Sequence, residues 1–135
     1  MAQDALGQSG EPMDLRSYTW KNRLLIIFAP SADSPDYQSL RDEIQSRPVE
    51  VAERDIRVFE VLETGESRIG SSILGKKSAD YLRRTFSIGP GHFVVLLIGK
   101  DGGEKFRRQG RVQLAEIFSV IDGMPMRQRE MKERK

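Results

Sequence analysis

The sequence predicts an α/β protein with a four-stranded mixed sheet and helices on both faces, in the order β-α-β-α-β-β-α. Leu24–Phe28 and Phe93–Ile98 are continuous apolar runs rich in branched residues, the pattern of strands buried on both faces. About 27 residues separate the first run from the strand-like segment Ile56–Leu62, enough for a helical crossover and therefore for parallel pairing. Lys100-Asp101-Gly102-Gly103 is hairpin chemistry leading into Glu104–Arg108, a half-polar segment suited to a sheet edge.

The elements follow in order. The first strand is bounded by Lys21-Asn22-Arg23 and Ala29-Pro30-Ser31, with Tyr18 and Trp20 just ahead of it expected to cover one end of the core. Ser34-Pro35-Asp36 supplies a cap, a proline for the first helical turn and an acid near the positive end of the helix. Tyr37, Leu40 and Ile44 then recur at helical spacing until Pro48, which ends the helix. Ile56–Leu62 completes a βαβ unit. Glu63–Lys77 is Gly- and Ser-rich without a period, a long loop or an irregular hairpin. Ser78 is positioned to cap a short helix carrying Ala79, Leu82 and Phe86, which stops before Gly89-Pro90-Gly91. After the hairpin, Leu114, Ile117, Phe118 and Ile121 share one face of a helix starting near Val112, with Gly123 as its C-cap and Pro125 beyond. This order of elements is that of the thioredoxin fold.

With 135 residues, 38% of them hydrophobic and 31% charged, the chain supports one compact core. Neither apolar run approaches the roughly 20 residues of a membrane helix, so no span is expected. Cysteine is absent, which removes disulfides, zinc-thiolate sites and every thiolate nucleophile. The formal charge is +2, yet residues 127–135 hold five basic and two acidic side chains, leaving 17 against 18 in the rest. Positive charge is thus read as a short tail, which argues against a nucleic-acid face. The expected organisation is a disordered segment over residues 1–13, one domain over residues 14–126, and a solvated basic tail over residues 127–135 that frays at the end of a helix. Met1–Pro12 lacks a charged start followed by an apolar stretch, so no signal peptide is expected within these residues; a leader trimmed before Ala2 is compatible with this opening.

Four segments resemble a known family: Lys21–Ser31, Glu53-Arg54-Asp55 before a strand, Gly99–Lys105, and Met124–Gln128. The chain is similar, from about Asp14 to Met131, to a family of unknown function with a thioredoxin-like fold. Its members are small exported bacterial proteins and repeated domains in vertebrate matrix proteins of the sushi-repeat-containing and coiled-coil-domain-containing groups. The resemblance implies the fold, a periplasmic or secreted setting with the leader removed, and loss of thiol activity. It carries over no catalytic residue.

In thioredoxin-like proteins the reactive cysteine sits where the first core strand passes into its helix, because backbone N–H groups and the helix dipole there stabilise a thiolate. That turn is Pro30-Ser31-Ala32-Asp33-Ser34-Pro35-Asp36-Tyr37 in this chain. No sulfur is present to ionise, serine does not replace it without an adjacent base, and Asp33 and Asp36 put negative charge where a thiolate would sit. The capping role of Ser34, Asp33 and Asp36 is the simpler account of these residues. Thioredoxins also place a cis-proline before the strand that faces this turn; here His92 occupies or neighbours that place, with Pro90 two residues earlier. A single histidine builds no His-rich metal site, and no metal or cofactor is expected.

Arg54 and Asp55 are suited to tying carboxylates and loop carbonyls together at the helix-to-strand junction, and they also offer a third wall to a groove. Asp101-Gly102-Gly103 is turn chemistry without the spacing of a phosphate loop. Met124, Met126 and Met131 are suited to packing; a Cu(I)-binding or oxidisable role is the alternative. The expected function is a non-catalytic binding or structural module. It would recognise a protein, peptide or glycan through Pro30, Ser31, Asp33, Asp36, Tyr37, Arg54, Asp55 and His92. A non-thiol hydrolase or oxidoreductase using Ser31, Asp33, Tyr37 and His92 at the same turn is the competing expectation; a Ser31 or Tyr37 oxygen within hydrogen-bond reach of His92 distinguishes the two.

Overall fold

A computed structural model describes residues 14–134. A short 3-10 helix, Leu15–Tyr18, precedes strand β1 (Arg23–Ala29). Helices α1 (Pro35–Ser46) and α2 (Pro48–Glu53) lead to β2 (Ile56–Leu62), followed by β3 (Ser67–Ile69), β4 (Ser72–Leu74) and helix α3 (Lys76–Thr85). The remainder is β5 (Val94–Ile98), β6 (Glu104–Gln109), α4 (Leu114–Asp122) and α5 (Pro125–Glu133). The sheet order is β4-β3-β2-β1-β5-β6; β1 and β2 are parallel and every other neighbouring pair is antiparallel.

All seven residues of β1 are buried, as a strand covered on both faces requires. Alternate side chains face opposite layers. Leu25, Ile27 and Ala29 join Tyr37 and Leu40 of α1 and Leu114, Ile117, Phe118 and Ile121 of α4 in one core. Leu24, Ile26 and Phe28 join Ala79 and Leu82 of α3, Phe59 and Val61 in the other. Each fully buried Leu, Ile or Phe contributes about 1.5–3 kcal/mol, so β1 anchors both layers.

The sheet has six strands where four were expected. The two additional strands come from the Gly- and Ser-rich segment, whose hairpin reading holds. Gly70 takes φ +59 at its turn, and Ile69 and Leu74 supply buried anchors too short to show a period. Pro48 ends α1 as expected but also starts α2, since the ring that cannot continue one helix suits the first turn of the next.

Ser78 is not the cap of α3. The helix begins two residues earlier after Gly75, and Ser78 is buried inside it with no hydrogen-bond partner for its hydroxyl. Ser34 occupies the N-cap position of α1 but makes no side-chain cap bond. Tyr18 packs edge-on against Phe59, with centroids 5.6 Å apart, whereas Trp20, expected to cover the core with it, is 65% exposed.

The break expected between Met126 and Arg127 falls inside α5, and Arg127 is only 5% exposed. Its charge is met by Asp122 and by the Glu53 carbonyl, so mixed charge at helical spacing marks a docked helix here. The segment expected to be disordered, residues 1–13, lies outside the described residues.

Candidate functional site

Strand register brings two of the three expected walls together. Ala29 lies opposite Leu62, and Phe28 opposite Val94, so the chain leaving β1 runs beside the end of β2 and the approach to β5. The N–H groups of Glu63 and Thr64 donate to the carbonyls of Ala29 and Pro30 at 2.9 and 3.0 Å. A Glu63 carboxylate oxygen accepts from the Gly91 N–H at 2.8 Å, and Arg83 donates to the Gly89 carbonyl at 3.0 Å while standing 3.7 Å from Glu63. Glu63 and Arg83 therefore hold the loop of His92 against the turn after β1. Neither was singled out in the sequence, where one lies in an aperiodic stretch and the other on a charged helix.

At this end Asp33 and His92 are exposed, and Pro30, Ser31 and Asp36 are half-buried. The Ser31 hydroxyl oxygen accepts from the Asp33 N–H at 3.2 Å, and the Ser31 carbonyl accepts from the Ser34 N–H at 3.2 Å, a self-bonded turn. The His92 ring lies beside Gly89, where an added β-carbon would come within 3.7 Å of it. Among the described residues His92 makes no side-chain hydrogen bond, and neither Ser31 nor Tyr37 bonds to it.

Tyr37 does not belong to this surface. It is 4% exposed, points into the core layer, and donates its hydroxyl proton to Glu60 on β2. Burial, reinforced by that carboxylate, pushes its phenol well above the ordinary tyrosine range, so it is neither a base nor an ionised nucleophile at neutral pH.

Arg54 and Asp55 lie at the other end of the sheet, contrary to the three-walled groove. Arg23 is the partner of Ile56, so Asp55 meets the start of β1, about 20 Å along the strand from Ala29. Parallel pairing makes this unavoidable: a segment that enters β2 sits beside the segment that enters β1.

Arg54 forks onto Asp122 at 3.0 and 2.8 Å, donates to the Glu50 carbonyl and lies 4.1 Å over the Phe118 ring. Asp55 accepts from Lys100 at 2.8 Å and from Arg134 at 3.2 Å. Lys100 also donates to Glu130 at 2.6 Å, and Arg127 joins Asp122 at 3.2 Å. Burial by itself would raise the carboxyls of Asp55, Asp122 and Glu130. The hydrogen bonds from Lys100, Arg54, Arg127 and Arg23 outweigh it and hold all three below the ordinary carboxylate range. Arg23, Arg54-Asp55, Lys100 and Arg127 come from the four segments on which the family resemblance rests, so those segments converge on this network.

Among the described residues no group of three or more His, Cys, Asp or Glu is placed to hold a metal ion, and no helix is long and apolar enough to cross a membrane.

Residues 14–130 match a family described as Domain of unknown function (DUF4174). Coiled-coil domain-containing protein 80 of Danio rerio is 26% identical over 133 residues, which cover 87% of this chain and 15% of that protein. Sushi repeat-containing protein SRPX of Homo sapiens is 32% identical over 114 residues, covering 82% and 25%. The chain thus spans at most a quarter of the length of these relatives.

Among solved structures, Plasmodium yoelii thioredoxin peroxidase I superposes with a TM-score of 0.64 at 14% identity, covering 85% of this chain and 79% of that one. Bacterioferritin comigratory protein of Xanthomonas campestris gives 0.60 at 14%, covering 94% and 89%. At such identities the likeness shows the fold alone, and that fold is thioredoxin-like.

Proposed function

Since the chain belongs to the family described as Domain of unknown function (DUF4174), in which it presents a thioredoxin-like fold without a cysteine, we propose that it is a non-catalytic binding module acting outside the cytoplasm. Its partner-facing surface is the turn after β1 together with the loop before β5: Pro30, Ser31, Asp33, Asp36 and His92. The observation that supports this most is the fate of the reactive groups. Ser31 is bonded within its own turn, Tyr37 is turned to Glu60, and His92 stays exposed without a nucleophile to activate. What remains at the former thiol position is a braced, polar loop pair. Such a surface suits recognition of a protein, peptide or glycan by shape and hydrogen bonding.

The extracytoplasmic setting rests on the resemblance to exported proteins. Fractionation of cells expressing the complete reading frame tests it, with retention in the cytoplasm contradicting it. The surface is tested by photo-crosslinking from p-benzoylphenylalanine placed at Asp33 or at His92. A discrete adduct is expected from both positions and none from Arg108 on the β6 edge; adducts from Arg108 alone would move the surface to the sheet edge.

A further inference from the structure

At the opposite end from that surface, a cleft of about 280 Å³ opens between the β5–β6 hairpin and the start of α5. Its charged lining is Arg23, Lys100, Lys105, Asp101 and Arg129, and its apolar wall is Met124, Pro125 and Met126. The charge here is not balanced. The network has five cations, Arg23, Arg54, Lys100, Arg127 and the exposed Arg134, around three carboxylates. The cleft adds Lys105, Arg129 and Asp101. Over these residues seven cations meet four carboxylates, a local surplus of three positive charges.

Several donors at the cleft lack an acceptor. Arg23 is 1% exposed and its Nε has no partner. Lys100 uses two of its three N–H donors, on Asp55 and Glu130. Arg129 is exposed and makes no ion pair among the described residues. Asp101, the one carboxylate in the lining, is already taken by the Lys105 ammonium at 2.9 Å and the Gly103 N–H at 2.9 Å. No side chain caps α5, whose first residues Met124, Pro125 and Met126 line the cleft, so the positive end of its helix dipole lies beside the cleft.

We propose that this cleft is a second binding site, which takes a carboxylate carried on a small apolar body. The Arg129 guanidinium forks onto the carboxylate, the free donor of Lys100 completes its hydrogen bonds, the positive end of the α5 dipole favours its charge, and the Met124–Met126 wall holds the apolar part. An inorganic anion would leave that wall without a contact. The same chemistry is offered by a free small acid and by the C-terminus of a peptide chain.

The site is tested on the full chain by nuclear magnetic resonance, with methionine methyl and amide signals followed during titration. The probes are N-acetyl-leucine, its uncharged amide, and a hexapeptide ending in leucine with its C-terminus free or amidated. Saturable shifts at Met124, Met126 and Arg129 are expected with either free carboxylate and not with either amide, and the tighter of the two acids identifies the source. Arg129→Gln should weaken binding about tenfold or more at an unchanged melting temperature, because the side chain is exposed. Equal binding of the amides, or full affinity in Arg129→Gln, would overturn the proposal. So would acid-specific shifts confined to Ser31 and His92, a result that would leave the surface at the other end standing.

Discussion

Arg23, the first residue of β1, reaches Glu130 on α5, its Nη1 and Nη2 atoms 3.2 and 3.3 Å from the two carboxylate oxygens. This pair, 107 positions apart, fastens the last helix to the centre of the sheet. Arg23 is almost wholly buried, so its guanidinium depends on Glu130 and on the Arg54 carbonyl, which accepts from it at 2.9 Å.

Glu130→Ala should therefore be costly. It leaves Arg23 and Lys100 buried with less compensation, a loss of about 3 kcal/mol by the usual behaviour of broken buried pairs. Urea denaturation measures it. A replacement of both partners, Arg23→Met with Glu130→Met, should recover part of the loss because the buried guanidinium leaves with its carboxylate, while Lys100 keeps Asp55.

Removal of residues 125–135 should lower the urea midpoint more than Glu130→Ala does, since Arg127 and Arg134 leave with Glu130. A solvated tail would come off without effect, and an unchanged midpoint would return the segment to that status.

Acid should loosen the same network. Asp55, Asp122 and Glu130 titrate below their ordinary range in the folded chain, so the unfolded chain takes up protons first as pH falls. Their contribution is complete above the unfolded carboxyl values of about 4 and is lost as pH drops through the lower folded values. The urea midpoint should fall between pH 7 and pH 3, and less steeply in Glu130→Gln. Equal midpoints at the two pH values would contradict the assignment.

Tyr37→Phe separates packing from recognition. It removes the only hydroxyl that donates to Glu60 among the described residues, at an expected cost of about 1 kcal/mol, while leaving the exposed surface of Asp33 and His92 unchanged. Thermal denaturation should register the loss, and binding of a partner captured at that surface should not.

The sequence made the central strands legible because β1 and β5 are apolar on both faces, and a run of five or more such residues has few other uses. Strands β3 and β4 have three residues each, too few to show alternation. Helix α5 was hidden for another reason. Arg127 and Glu130 look like solvated charges until Asp122, Arg23 and Lys100, distant in sequence or on another element, are seen to meet them.

At the candidate surface, the turn after β1 and the approach to β5 were legible through the likeness to thioredoxins, and the pairing of β1 with β5 brings them to one end of the sheet. Tyr37 could have been excluded by the same pattern that found α1: it shares the apolar stripe with Leu40, and a residue on that stripe faces the sheet. Glu63 and Arg83 gave no local signal, because their role exists only where Gly89 and Gly91 are brought beside β2.

The central claim is that the turn after β1 and the loop before β5 form a recognition surface. Once a partner has been captured by crosslinking from Asp33, its affinity for the unmodified chain, for Asp36→Lys and for His92→Ala tests this most directly. The expected result is a loss of about tenfold or more in each variant, with the melting temperature unchanged in His92→Ala and lowered in Asp36→Lys only by the reversed charge at the start of α1. Affinity equal to that of the unmodified chain in both variants would contradict the claim.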